Sequence, residues 1–164
     1  MPTVSLNKMI EKLELKNLTP EVSTEGIEIS SPDINRPALQ LAGYFEHFAC
    51  ERVQIIGYVE YTYLKSQNRE EKLKNYERFM SSKIPCVIYA SRTEPDEDMY
   101  EMARKYNKPL LFSNRMTSPL MAEVIRWLNV ELAPCISIHG VLVDVYGEGV
   151  LIMGESGIGK SEVA

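Results

Sequence analysis

The chain has 164 residues, 45% hydrophobic and 25% charged, with 18 Lys and Arg against 23 Asp and Glu, a formal net charge of −5. That composition fits a soluble globular protein with one sizeable core, or one domain and the start of another, and excludes disorder throughout. No stretch concentrates basic residues with aromatics, no apolar run nears the roughly 20 residues of a membrane helix, and residues 1–8 lack a signal-peptide layout, so the expectation is a cytoplasmic protein without nucleic-acid or membrane partners.

In chain order, Ile27-Glu28-Ile29-Ser30 alternates like a half-buried strand, and Pro37 suits the first turn of a helix carrying Leu39, Leu41 and Phe45. Val53-Gln54-Ile55-Ile56 reads as the next strand. Residues 68–80 place Leu73, Tyr76, Phe79 and Met80 at helical spacing, with charges on the other face. A strand over residues 84–90 follows, with Pro85 tolerable only at its beginning. The spacing then predicts a helix over residues 96–106, opened by acids and closed by Asn107 and Pro109, a strand over 109–112, and a helix opened by Ser118-Pro119. Strands and helices in alternation imply a parallel sheet covered by helices.

The three cysteines, Cys50, Cys86 and Cys135, are widely spaced, and only His47 and His139 accompany them. A disulfide framework or structural zinc site is not expected; Cys86 and Cys135, inside apolar runs, read as small buried hydrophobes. Tyr58, Tyr61 and Tyr63 read as packing or a subunit contact. In residues 113–119, Arg115 and free N–H groups at a strand end could hold an anion, although a surface loop with a Thr or Ser cap is the simpler reading.

The pattern changes near Leu132-Ala133-Pro134, which sets an expected division into residues 1–132 and 133–164. Beyond it, residues 135–146, a Gly147-Glu148-Gly149 loop and Val150-Leu151-Ile152-Met153 read as a β-hairpin. It leads into Gly154-Glu155-Ser156-Gly157-Ile158-Gly159-Lys160-Ser161, which fits G-x-x-x-x-G-K-[ST] behind an apolar strand. Glycines let consecutive N–H groups converge on phosphate oxygens; Lys160 would meet the β and γ phosphates, and the Ser161 hydroxyl would ligate Mg²⁺. With the three-residue loop, Tyr146 pairs with Val150 and Val143 with Met153, which sets His139 level with Gly157 and so beside the phosphate loop.

Residues 137–147 with Gly149-Val150-Leu151-Ile152 and the 154–162 loop resemble bacterial HPr kinase/phosphorylase, since ordinary P-loop proteins lack the histidine-bearing hairpin. Arg36-Pro37-Ala38-Leu39-Gln40-Leu41-Ala42-Gly43-Tyr44-Phe45, Glu51-Arg52-Val53-Gln54-Ile55-Ile56-Gly57 and Leu132-Ala133-Pro134 resemble that family's N-terminal domain and linker. The resemblance implies an α/β fold: an N-terminal parallel-sheet domain of regulatory or assembly role, then the first β-hairpin and P-loop of a truncated kinase domain. It further implies a cytoplasmic hexamer that uses ATP and Mg²⁺ to phosphorylate a regulatory serine of the phosphocarrier HPr. The same enzyme would remove that phosphate by phosphorolysis, with inorganic phosphate and pyrophosphate as partners, in carbon catabolite repression.

Carried over by motif, His139 and Lys160 are catalytic. Gly154, Glu155, Ser156, Gly157, Ile158, Gly159, Lys160 and Ser161 bind nucleotide, and Ser161 binds metal. Glu155 stands where the family often has aspartate. The catalytic aspartate, the second metal carboxylate and a later arginine have no counterpart here, so the fragment alone is expected to be inactive and its last 30 or so residues poorly ordered without their sheet partners. Two other readings remain: a non-catalytic sensing or oligomerisation module, or another P-loop kinase related to carboxykinases.

Overall fold

Short buried strands joined by amphipathic helices are the means by which a chain makes parallel pairs, because each parallel step needs a crossover. The computed structural model describes residues 1–155, 157 and 159–163. The chain divides into two units, Met1–Ala133 and Pro134–Ala164.

The first unit begins with β1 (Val4–Ser5), α1 (Leu6–Lys12), β2 (Lys16–Asn17) and β3 (Glu28–Ile29). β1 and β3 form a small antiparallel pair. Then come β4 (Ile34–Asn35), α2 (Ala38–Leu41), β5 (Val53–Ile56), α3 (Tyr58–Ser66), α4 (Arg69–Met80), β6 (Val87–Tyr89), α5 (Glu97–Tyr106), β7 (Leu110–Phe112) and α6 (Thr117–Glu131). The five-stranded sheet has the order β2-β7-β6-β5-β4. Its four strands from β4 to β7 are parallel, whereas the edge strand β2 runs antiparallel to β7, with Lys16 opposite Phe112.

Alternation along the strands builds two cores. Val53, Ile55, Cys86, Ile88 and Leu111 pack with Leu6 and Met9 of α1 and Leu120, Val124 and Leu128 of α6. Ile56, Val87, Tyr89 and Leu110 pack with residues from α2 to α5, among them Leu41, Leu64, Tyr76, Phe79 and Met99. Buried Gln54 is satisfied: its amide oxygen accepts from Asn35 Nδ2 at 2.7 Å and its Nε2 donates to the Arg52 carbonyl at 2.7 Å.

Local chemistry fixes several boundaries. Asn68 Oδ1 accepts the Glu70 N–H at 2.8 Å to start α4, and Asp96 Oδ1 accepts the Met99 N–H at 2.8 Å to start α5. Asn107, left-handed at φ 55° and ψ 48°, ends α5. The helix expected from Pro37 to Phe45 stops at Leu41, because Gly43 turns left-handed and Asn75 Nδ2 of α4 donates to the Leu41 carbonyl at 3.1 Å. The strand expected over 84–90 narrows to Val87–Tyr89. The cap expected from Thr or Ser at α6 is also corrected: Met116 occupies that position and caps no N–H through its side chain.

In the second unit β8 (Gly140–Val145) pairs antiparallel with β9 (Glu148–Met153), and α7 (Lys160–Val163) follows. The expected Gly147-Glu148-Gly149 loop is corrected to a two-residue turn. Val145 faces Glu148, so Tyr146 and Gly147 form the connection at φ 55° and 83°. Positive φ at both central residues is the type I′ requirement, whose twist suits a hairpin, and Asp144 Oδ1 accepts the Gly147 N–H at 2.8 Å. No residue of the described second unit is buried, and Cys135 is exposed, contrary to its expected burial.

Candidate functional site

β9 delivers the chain to Gly154, and the loop turns back through two left-handed glycines, Gly157 at φ 88° and Gly159 at φ 90°. A side chain at either would strain the backbone; at Gly159 a Cβ would also lie 3.3 Å from Glu162 Oε2. Lys160 opens α7 and folds back over the loop, its Nζ donating to the Gly154 and Glu155 carbonyls, each at 2.6 Å. The ammonium thus ties the helix start to the exit of β9. Ser161 follows on α7, exposed, and Gly157, Gly159, Lys160, Ser161 and Glu162 line an open hollow. Ser156 and Ile158, also expected to bind nucleotide, lie outside the described residues.

His139 is exposed and immediately precedes β8. The register pairs Val143 with Val150 and Gly140 with Met153. Extending it one step sets His139 level with Gly154, so its expected place opposite Gly157 is corrected by three residues. Pairing is tight beside it: a Cβ on Gly140 would come within 2.8 Å of the Ile152 carbonyl oxygen and 2.9 Å of Leu151 Cδ1.

Among the described residues no cluster of three His, Cys, Asp or Glu side chains gathers to hold a metal. Phosphate-loop chemistry holds Mg²⁺ through a serine or threonine hydroxyl and a carboxylate, and of these the described residues offer the Ser161 hydroxyl, which fits the first part of such a site.

In the first unit Arg115 is committed to structure: Nε lies 2.6 Å from Glu123 Oε2, and Nη1 donates to the Leu13 carbonyl at 2.9 Å. Tyr58 and Tyr61 share α3, their ring centroids 6.3 Å apart. Sequence reasoning missed a buried arrangement next to them. Glu60 Oε2 accepts from the Gly57 N–H at 3.0 Å and from Arg36 Nη2 at 2.6 Å, joining the end of β5 to the start of α3. Nothing local in the sequence announces a pair whose members come from separate elements.

A strand, a loop with two left-handed glycines and a lysine-started helix, in a chain that also carries a parallel-rich α/β unit, define an α/β protein with a phosphate-loop motif. Residues 4–128 match the HPr Serine kinase N terminus, and residues 130–164 the HPr Serine kinase C-terminal domain. The chain belongs to the HPr kinase family. It is 54% identical over its whole length to the HPr kinase/phosphorylase of Lachnoclostridium phytofermentans and 43% identical to that of Alkaliphilus metalliredigens, covering 53% of each. It is 46% identical over 160 residues, 98% of this chain and 51% of the relative, to that of Caldicellulosiruptor bescii. The chain spans about half the length of the curated relatives it matches.

Proposed function

We propose that the chain is the N-terminal part of a bifunctional enzyme that uses ATP to phosphorylate a regulatory serine of HPr and removes the phosphate by phosphorolysis, serving carbon catabolite repression in the cytoplasm as a hexamer. Residues 1–132 act in regulation or assembly, and residues 133–164 begin the kinase domain. The observation that carries the reading is the Lys160 ammonium held at the mouth of a loop with two left-handed glycines directly behind β9. The family match over both parts of the chain supports it.

In this reading residues 154–161 hold the nucleotide phosphates. The Lys160 ammonium exchanges the Gly154 and Glu155 carbonyls for β and γ oxygens, a trade of neutral acceptors for charged ones that strengthens each bond. The Ser161 hydroxyl would hold Mg²⁺, which would supply charge neutralisation to the transfer. Phosphoryl transfer depends mainly on positioning and on stabilised charge, and Lys160 is placed for both. The serine proton goes to a carboxylate from the part of the relatives' length that this chain does not span, so residues 1–164 alone transfer no phosphate. In the reverse direction an oxygen of inorganic phosphate attacks the phosphoserine phosphorus and the serine C–O–P link breaks at phosphorus. Pyrophosphate leaves and the serine oxygen takes up a proton; His139, when protonated, holds the attacking anion.

Calorimetry with Mg-ATP on this chain and on the chain extended to its relatives' full length tests the proposal, with Lys160→Ala as control and HPr phosphorylation as the second readout. Binding and phosphorylation by the extended protein, lost with Lys160→Ala, are expected. Binding by neither protein would overturn it. His139→Ala is expected to depress phosphorolysis more than phosphorylation; unchanged phosphorolysis would remove His139 from the site.

A further inference from the structure

The first unit carries a cleft of its own, of about 490 Å³, among whose lining residues are Lys16, Tyr61, Arg92, Glu94, Tyr100 and Phe112. Topology explains its position. The connection leaving β6 leads to α5, which covers one face of the sheet, while the connection leaving its neighbour β7 leads to α6 on the opposite face. Two adjacent parallel strands whose connections part in this way leave a crevice beyond their carboxyl ends, the place where open α/β sheets bind ligands. Lys16 reaches this end because β2 runs antiparallel, which sets it opposite Phe112, the last residue of β7.

Among the described residues neither Lys16 nor Arg92 has an ion-pair partner, so both cations can meet an anion in the cleft. Arg92 is also held in an unusual backbone state. It occupies the third position of the turn Ala90-Ser91-Arg92-Thr93, closed by the Thr93 N–H to the Ala90 carbonyl at 3.3 Å, with φ 65°. Glycine or asparagine ordinarily fills that position when φ is positive, and strained residues of this sort gather at ligand sites. Tyr61, Tyr100 and Phe112 are half-buried, offering aromatic surface beside the two cations. Lys65 Nζ lies 4.4 Å from the Tyr61 centroid and adds a third positive charge next to it.

Surface cations beside packing aromatics would be an ordinary arrangement on an exposed helix. Here they line a crevice that the topology itself opens, and one of them stands on a backbone that favours glycine. We propose that this cleft binds a nucleoside phosphate, its base against the aromatic side chains, its phosphate on Lys16 and Arg92, and a sugar hydroxyl or ring amine donating to Glu94. Every residue invoked here belongs to the first unit, so the inference does not depend on the reading of the 154–161 loop.

AMP titrated into the 164-residue chain tests the inference, with ribose 5-phosphate as the probe lacking a base. Lys16→Ala combined with Arg92→Gly is expected to weaken AMP binding by about tenfold or more, two charge-assisted contacts being lost. Arg92→Gly suits the positive φ, so the doubly substituted protein keeps its fold, checked by circular dichroism. Ribose 5-phosphate is expected to bind at least about tenfold more weakly than AMP, since it lacks the base that stacks on the aromatic side chains. Absence of AMP binding, equal binding of the two probes, or indifference to the Lys16 and Arg92 changes would each overturn the inference. AMP binding lost with Lys160→Ala alone would assign the nucleotide to the phosphate loop instead, overturning this site while leaving the proposed function standing.

Discussion

Gly57→Ala isolates one close approach in the first unit. Gly57 is buried at the end of β5, with φ −101°, a backbone that alanine adopts without strain. The obstacle is space: a Cβ would stand 2.6 Å from Thr117 Oγ1, 2.8 Å from Thr117 Cγ2 and 3.0 Å from Arg36 Nη2. Comfortable carbon contacts begin near 3.5 Å, so α6 or the Arg36–Glu60 pair must shift. Overpacking of this kind costs about 1–3 kcal/mol, and the stiffer unfolded chain returns about 0.4–1 kcal/mol, leaving a net loss of about 1–2 kcal/mol. Each kcal/mol lowers the melting temperature of a unit this size by about 3–5 °C. Urea titration followed by fluorescence of Trp127, the single tryptophan, which packs on the α6 core, reads the change. Thr117→Ala removes the nearest two atoms, so the same substitution on that background is expected to cost about 1 kcal/mol less. Wild-type stability for Gly57→Ala, or an equal cost on both backgrounds, would refute the steric account.

Three further outcomes are expected. The hydrogen bonds from Arg69 Nε and Nη2, at 3.2 and 3.0 Å, hold the Asp98 carboxyl below the usual carboxylate range against a burial effect that raises it. A lowered folded value stabilises the fold above the unfolded carboxyl's value of about 3.9 and is lost as pH falls through the folded one. Asp98→Asn should therefore flatten the loss of urea stability on acidification below about pH 4, and an acid limb as steep as wild type would refute the link. Burial pushes the Cys86 thiol up to about 12 while Cys135 is exposed, so maleimide labelling read by mass spectrometry should modify Cys135 first and Cys86 only on unfolding. Tyr146→Asn replaces a left-handed tyrosine with a residue suited to that conformation, so amide exchange across the Val143–Val150 pairing should slow by a factor of about 5, matching roughly 1 kcal/mol.

Legibility along the first unit follows how local each determinant is. Val53–Ile56 is a run of β-branched residues interrupted only by Gln54, and Asn68 and Asp96 cap their helices with their own side chains, so these elements could be read directly from neighbouring residues. Helix α3 could not. Among its nine residues only Glu60 and Leu64 are buried, too few for a periodic stripe, and its start at Gly57 is shaped by Thr117 and Arg36 from other elements. Strand β2 is two polar residues that become a strand only by pairing with β7. Helix α2 ends where Asn75 of α4 meets its last carbonyl, a contact absent from any local window. The cleft lining has the same character, since Lys16 and Arg92 become neighbours of Phe112 and Tyr100 only after the sheet is ordered.

The candidate loop shows the opposite balance. Its residues were legible because glycine, lysine and serine at fixed spacing behind a strand each answer a separate demand: left-handed turns at Gly157 and Gly159, a cation at Lys160 and a hydroxyl at Ser161. The hairpin that presents His139 was legible in kind but not in register. Three glycine-bracketed residues suggested a longer loop, yet positive φ at Tyr146 and Gly147 makes the tighter turn, with the Asp144 carboxylate accepting the Gly147 N–H. An antiparallel ladder carries such a shift along its whole length, moving the partner of Val143 from Met153 to Val150; one step beyond its last pair, Gly140 with Met153, the position level with His139 is Gly154 rather than Gly157. Gly154 is also the residue whose carbonyl receives Lys160. The shorter turn therefore aligns the imidazole-bearing position with the anchor of the loop lysine, and Tyr146→Asn, which strengthens that turn, should leave the pairing of Gly140 with Met153 unchanged; nuclear Overhauser contacts between the Cα protons of another pair in its place would break the argument that joins His139 to Lys160.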